Sequence, residues 1–162
     1  MKPAESKVPF PVDDLAGFLH GDWRLVRRLV SMEPRRSGTA EGQANFRLSD
    51  AGLDYREVVD VRFAGHCGRA TREHRYRLVE QGCAEVFFAD GRPFHRLDLR
   101  RGRWQVEHVC GEDVYRGSFR VLGPGLWVVR WRVLGPRKNL RIASVYERQS
   151  LSGRRSQAYR TC

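Results

Sequence analysis

Ten short runs of strand-forming residues follow one another along this chain, and a tight-turn signal ends most of them. The first opens at Gly21-Asp22-Trp23 and ends near Val30. The others span Thr39 to Leu48, Leu53 to Arg62, Thr71 to Glu80, Cys83 to Phe88, Phe94 to Leu99, Trp104 to Cys110, Asp113 to Leu122, Trp127 to Val133 and Leu140 to Arg148. Between them stand Asp50-Ala51-Gly52, Gln81-Gly82, Asp90-Gly91, Arg101-Gly102, Gly123-Pro124-Gly125 and Gly135-Pro136. Strands this short and this regularly spaced leave two architectures, an up-and-down antiparallel barrel or a sandwich. Ahead of them, Asp13 and Asp14 are placed to cap a short helix through Leu15, Phe18 and Leu19. The boundaries expected are a flexible arm over 1–12, one β domain over 13–149 and a polar basic tail over 150–162, with Tyr159 as a docking residue.

Alternation assigns the faces. Trp127, Val129, Trp131 and Val133 share one apolar face, and Arg130 and Arg132 point to solvent. The same rule brings polar groups inward elsewhere. Tyr55 and Glu57 travel with Leu53, Val59 and Val61. His74 and Tyr76 travel with Leu78, Asp113 and Tyr115 with Phe119 and Val121, and Ser144, Tyr146 and Arg148 with Leu140 and Ile142. Across the Asp90-Gly91 hairpin, His95 runs in phase with Leu97 and Leu99. On the next strand His108 and Cys110 share a face with Trp104 and Val106. An unpaired buried polar group costs about 1–3 kcal/mol, so this many on one interior point to a hydrated or ligand-filled cavity.

Three constellations follow. His95, His108, Cys110, Asp113 and Tyr115 combine groups that shuttle protons near neutral pH with an Asp to fix a tautomer and a Tyr to face an oxyanion. The competing reading is a buried hydrogen-bond network that pins the fold. Glu57 with Tyr55, facing Glu85, is expected to have a raised pKa and to act as a general base. Otherwise it is an inward carboxylate paired to Arg72 or Arg148. Arg92, Arg137 and Lys138 lie on turns, where they would hold a carboxylate or phosphate at a rim or simply stand in solvent. Trp131 beside the cavity would stack on an aromatic ligand or shield a cation.

Charge and cysteines bound the alternatives. The 162-residue chain carries a net charge of +11, with 30 basic residues of which only Lys2, Lys7 and Lys138 are lysines. The arginines are spread along the chain, and aromatics are not interleaved with them on an outward face. Nucleic acid is therefore not the expected partner, and a solvated basic surface is. Cys67, Cys83, Cys110 and Cys162 form no C-x-x-C and no zinc-finger spacing, so no metal site is expected and free thiols are the simplest reading. No run approaches the ~20 apolar residues of a membrane helix, and the N-terminus has no signal-peptide pattern. A cytoplasmic location is expected, without a membrane partner, and a homodimer is compatible with the sequence.

A short helix running into Gly21-Asp22-Trp23 resembles the Gly-x-Trp opening of the calycins, the lipocalin and fatty-acid-binding-protein barrels. The segments Phe18 to Trp23, Phe87 to His95, His108 to Tyr115 and Gly135 to Lys138 are similar to a family of uncharacterised bacterial and fungal calycin-like proteins. The resemblance implies a single up-and-down, all-β barrel of about ten strands with one internal cup, and little chemistry. Fatty-acid-binding proteins end in an Arg-x-Tyr that grips a carboxylate. Here Tyr146-Glu147-Arg148 runs in the reverse order, and that function is not carried over. The resulting expectation is a small-molecule cup for an anionic or aromatic metabolite. His95, His108, Glu57, Asp113 and Tyr115 would perform cofactor-free acid–base catalysis there. Tyr55, His74, Tyr76, Arg92, Cys110, Trp131, Arg137, Lys138, Tyr146 and Arg148 would bind the ligand. The alternatives are a carrier or sensor without turnover, a Pictet–Spengler-type cyclase with Glu57 as base and Trp131 over an iminium, and a nucleic-acid binder through the arginine-rich surface.

Overall fold

The computed structural model describes residues 8–150. A five-residue helix, α1 (Leu15–Leu19), precedes ten antiparallel strands: β1 (Gly21–Met32), β2 (Arg35–Ser49), β3 (Gly52–Phe63), β4 (His66–Glu80), β5 (Cys83–Phe88), β6 (Pro93–Asp98), β7 (Arg103–Cys110), β8 (Asp113–Gly123), β9 (Leu126–Gly135) and β10 (Lys138–Arg148). Each strand pairs with its neighbours in sequence except β6 with β7, and β1 pairs with β10. The result is an up-and-down barrel, nearly closed, whose one unladdered seam lies between β6 and β7. There the Trp104 indole N–H donates to the Arg96 carbonyl at 2.8 Å. Lower on the seam the chain before α1 docks, with Phe10 N–H donating to Val121 O (2.9 Å) and Val12 N–H to Leu99 O (3.0 Å).

One end of the barrel is closed by α1. Asp14 caps it, its carboxylate accepting from Gly17 N–H at 2.9 Å, as Ser, Thr, Asp and Asn side chains do at helix starts. Leu15, Phe18 and Leu19 are buried against Trp23, Leu25, Phe46 and Trp127. The Trp23 indole N–H donates back to Leu19 O at 2.8 Å. Arg148 belongs to this closed end and not to a ligand cup. It donates to His20 O at 2.8 Å and to Phe18 O, and its guanidinium lies 4.4 Å from the Trp23 ring centre. It thus satisfies carbonyls that α1 leaves without intrahelical partners. The expected ligand role of Arg148 is corrected on that ground.

The inward faces follow the alternation read from the sequence, with one irregularity that shapes the interior. The β5–β6 ladder slips between Val86, opposite His95, and Phe87, opposite Pro93. Phe94 is the extra residue of this bulge, and bulges re-aim side chains in this way. Both Phe94 and His95 consequently reach the cavity. The hairpin that delivers them turns through Asp90-Gly91, with Gly91 N–H bonded to Phe88 O (2.9 Å) and Gly91 at φ +88°. That left-handed φ is where glycine is needed. Cys83 and Cys110 are free thiols, whereas Cys67 is disulfide-bonded, which departs from the expectation of four free thiols. The arm residues 1–7 and the tail from 151 on, Tyr159 and Cys162 included, lie outside the described residues. No helix among the described residues is long and apolar enough to cross a membrane.

Candidate functional site

Above the plug the barrel encloses a cavity of about 330 Å³. A buried ion pair lines it. Arg27, on the inward face of β1 with Trp23 and Leu25, is 6% exposed, and Glu57 on β3 is 2% exposed. The guanidinium grips both carboxylate oxygens, at 2.6 and 2.8 Å, and its Nε donates to Ser144 Oγ at 2.9 Å. The Tyr55 hydroxyl donates to Glu57 Oε2. Because that proton is committed, the Tyr146 hydroxyl, 3.1 Å away, is the donor to Tyr55. Burial opposes charge on both members of the pair. The Arg27 hydrogen bonds and charge outweigh it at Glu57 and hold that carboxyl below its ordinary 4.5. Burial pushes the Tyr55, Tyr76 and Tyr146 hydroxyls up, so all three stay protonated.

This geometry corrects two expectations about Glu57. Its pKa is lowered, not raised. Its oxygens are already occupied by Arg27 and Tyr55, so it is not a free general base. Of the partners considered from sequence, Arg72 stands 3.9 Å away and half-exposed, and Arg148 is at the plug. Glu85 does not face Glu57; it pairs with Arg77 on the outside.

The rest of the wall is aromatic. Phe94 stacks on Trp131 (ring centres 5.2 Å apart, 16° between planes) and on His74 (5.5 Å, 21°). Phe88 lies 4.5 Å from Phe94, and His108 meets Phe94 edge-on at 5.2 Å. Gly117 makes room for the Trp131 ring: a Cβ there would lie 2.8 Å from it. His74 Nδ1 lies 3.3 Å from Phe87 O and His95 Nδ1 lies 2.8 Å from Arg96 O. A carbonyl only accepts, so both histidines carry the proton on Nδ1 and leave Nε2 as a free acceptor. Burial lowers the His74 pKa, and at His95 it does so down to about 4. Both rings are neutral at pH 7. Backbone carbonyls, not Asp113, fix their tautomers. The Tyr76 hydroxyl lines the same space and makes no hydrogen bond among the described residues.

The structure thus brings together His95, His108, Tyr115, Cys110, Tyr55, Glu57, His74, Tyr76, Arg92, Trp131 and Tyr146 around one cavity. Arg92 and Arg72 sit at its open end with side chains 67% and 51% exposed. Arg92 also bonds Asp90 at 2.7 Å and lies 5.3 Å from the Phe88 ring centre. Asp113, Arg137, Lys138 and Arg148 do not line the cavity. The Asp113 carboxylate accepts from Lys138 Nζ at 2.7 Å, and Arg137 is exposed. Sequence reasoning missed Arg27 as the partner of Glu57 and Phe88 and Phe94 as the wall. The signal for Arg27 was the alternation Trp23, Leu25, Arg27, Leu29, which places a guanidinium among inward side chains. Among the described residues, no group of three or more His, Cys, Asp or Glu is placed to hold a metal ion.

The model of a family of unknown function, DUF6314, matches residues 19–148. The chain belongs to this family. The DUF6314 match runs from the helix end through the last strand, so it takes in the buried ion pair and the aromatic wall, and of the plug helix only Leu19. A comparison with curated proteins finds no match. Among solved structures, the chain is similar to the S-type phycobiliprotein lyase CPES from Guillardia theta (TM-score 0.59, 8% identity, covering 91% of this chain and 99% of the lyase). It is also similar to Rv2717c from M. tuberculosis (TM-score 0.50, 16% identity, covering 82% and 94%). A barrel described as EF1p2_mFAP2b bound to DFHBI matches at a TM-score of 0.47 and 10% identity, covering 85% and 99%. At these identities the likeness is one of fold.

Proposed function

We propose that this barrel binds a small planar aromatic anion in its cup, holding rather than transforming it. The observation that carries the reading is the cavity itself. It is about 330 Å³ in volume, walled by Phe88, Phe94, His74 and Trp131, with two arginines at the mouth. A volume near the lower end of ligand pockets suits a small molecule. The stacked wall favours a flat ring, whose faces meet the aromatic quadrupoles offset or edge-on. The Nε2 atoms of His74 and His95 accept N–H or O–H groups on the ring, and the Tyr76 hydroxyl donates. Arg72 and Arg92 receive the acidic group, Arg92 as a planar fork already held by Asp90. The fold likeness to a phycobiliprotein lyase is compatible with such a role.

Acid–base turnover would fall to His95, whose Nε2 lone pair is free. A base whose conjugate acid has a pKa of about 4 accepts a proton weakly at neutral pH, and Glu57 is saturated. Carriage or sensing is therefore the reading adopted over catalysis, the cyclase included. A thermal-shift comparison of benzoate and a naphthalenesulfonate with hexanoate tests it. The aromatic anions are expected to raise Tm, and hexanoate is not. Arg92→Gln and Phe94→Ala should each weaken the aromatic effect. Equal shifts from all three acids, or consumption of the added aromatic on incubation, would overturn the proposal.

A further inference from the structure

Arginines on the outer face of β1, β10, β9 and β8 stand opposite one another. Several others stand instead in ion pairs with carboxylates across the strands: Arg24 with Glu147 at the far end of β1 and β10, Arg56 with Glu73, Arg69 with Asp60, Arg77 with Glu85 and Arg96 with Glu80. On this face Arg141 is directly opposite Arg132, and Arg132 is directly opposite Arg116. One row away, Arg28 and Arg130 flank Ala143. Only Arg116 has a carboxylate, Glu107 at 2.8 Å. Arg28, Arg130, Arg132 and Arg141 are exposed and make no ion pair among the described residues. The residues surround a surface hollow of about 750 Å³.

Like charges directly opposite one another on a sheet destabilise it, and here they recur across three strands with only Glu107, beside Arg116, to offset them. A bound polyanion would offset them. The backbone positions that carry these arginines form a two-dimensional array, spaced about 4.8 Å between strands and about 6.8 Å along a strand. An extended acidic polypeptide presents its same-face carboxylates along one line, also about 6.8 Å apart, and along β9 would engage Arg130 and Arg132 while leaving Arg141 and Arg28, on the two strands beyond, to one side. A double helix presents two backbones and one charge per about 1.7 Å of axis, which covers an area. The hollow offers no free aromatic face for stacking bases, since Trp131 is stacked on Phe94 toward the cavity. Single-strand binding relies on such stacking; contacts to phosphates do not. The net charge of +11 adds long-range attraction. We propose that this arginine face binds the sugar–phosphate backbone of a double-stranded nucleic acid without reading its sequence. The fold gathers arginines that are spread along the sequence onto one face, and backbone binding needs no aromatics interleaved with them.

Fluorescence anisotropy with a short labelled DNA duplex, and with the RNA duplex of the same sequence, tests the proposal across a series of NaCl concentrations. Each neutralised phosphate contributes about 0.9 to the slope of log K against log salt. The variant Arg130→Gln/Arg132→Gln/Arg141→Gln is expected to flatten the slope by about 2.7 and to bind more weakly at every salt concentration. Its Tm should be no lower than that of the unmodified protein. The control Arg24→Gln/Arg56→Gln/Arg77→Gln removes the same formal charge from paired positions and should change the slope far less. Inorganic polyphosphate should displace the duplex better than polyglutamate of equal charge. Equal losses in the two triple variants would overturn the proposal, as would an absence of duplex binding at low salt or displacement by polyglutamate as effective as by polyphosphate.

Discussion

Replacing Glu57 by Gln removes the charge from one side of a buried pair and leaves the Arg27 guanidinium facing a neutral amide in a space that water barely reaches. The Nη1 and Nη2 atoms lose carboxylate contacts at 2.6 and 2.8 Å, and only the Nε bond to Ser144 is untouched. Arg72, 3.9 Å from the carboxylate with a half-exposed side chain, belongs to the class of pairs worth about 0–1 kcal/mol, so its release returns little. Breaking a buried pair from one side costs about 3–5 kcal/mol. At about 2–4 °C per kcal/mol for a domain of this size, Tm should fall by roughly 6–20 °C. The double variant Arg27→Met/Glu57→Leu removes both charges and should be far more stable than either single change. Swaps of this kind range from neutral to about 4 kcal/mol stabilising. Urea unfolding at pH 7, followed by tryptophan fluorescence on the parent, Arg27→Met, Glu57→Leu and their double variant, measures the coupling, and Glu57→Gln is unfolded beside them. The acid limb gives a second readout. The Glu57 carboxyl titrates below 4.5 in the folded protein, so its contribution is complete above 4.5 and is lost as pH falls through the lower folded value. Glu57→Gln should lack that loss. A Glu57→Gln protein as stable as the parent, or a double variant whose cost equals the sum of the singles, would refute the coupling of Arg27 and Glu57 as a buried ion pair.

Two further outcomes follow from the cavity wall. The His95 pKa lies near 4 in the folded chain against an ordinary 6.5, so the neutral ring favours folding above 6.5 and that contribution drains away as pH falls toward 4. His95→Phe should flatten the stability–pH curve in that window, as read by Tm across pH, and an unchanged curve would contradict the burial of His95. Gly117→Ala places a Cβ 2.8 Å from the Trp131 ring, which must shift from its present stack on Phe94. It should weaken binding of a naphthalenesulfonate in a fluorescence titration while costing about 1–3 kcal/mol, the usual range for overpacking.

Much of this fold was legible because period-2 patterning and turn chemistry are local. All ten runs became strands, and Cys83 to Phe88 matched residue for residue. The other limits moved by a few residues, most where β2 and β4 extend past Thr39 and Thr71 into arginine- and glycine-rich ends that carry no hydrophobic alternation. The Asp90-Gly91 turn and the Asp14 cap were fixed by the backbone geometry those residues favour. Partnerships were not legible, because they depend on which strands meet across the barrel. Glu57 looked like a lone carboxylate in an apolar wall, and its meaning reversed once β1 brought Arg27 to within hydrogen-bonding distance. In the Arg27-Arg28 doublet the alternation with Trp23 and Leu25 turns Arg27 inward, but only the barrel closed around it shows that Glu57 is what it meets. Arg148 shares the phase of Tyr146, yet the strand ends over α1, so the same face that lines a cup at Ser144 meets a plug at Arg148. Asp113 shares the phase of Tyr115 but sits at a strand end beside Lys138. The bulge that turns both Phe94 and His95 inward left no mark in the pattern beyond Pro93.

The most direct test of the cup is native mass spectrometry of the protein titrated with a naphthalenesulfonate, run beside Val133→Trp. Val133 is 3% exposed and lines the cavity, so the larger ring fills the space the ligand needs. One bound probe per chain on the parent, and none on folded Val133→Trp at the same concentration, is the expected result. Equal occupancy on both proteins would place the probe outside the barrel and contradict a ligand-holding interior.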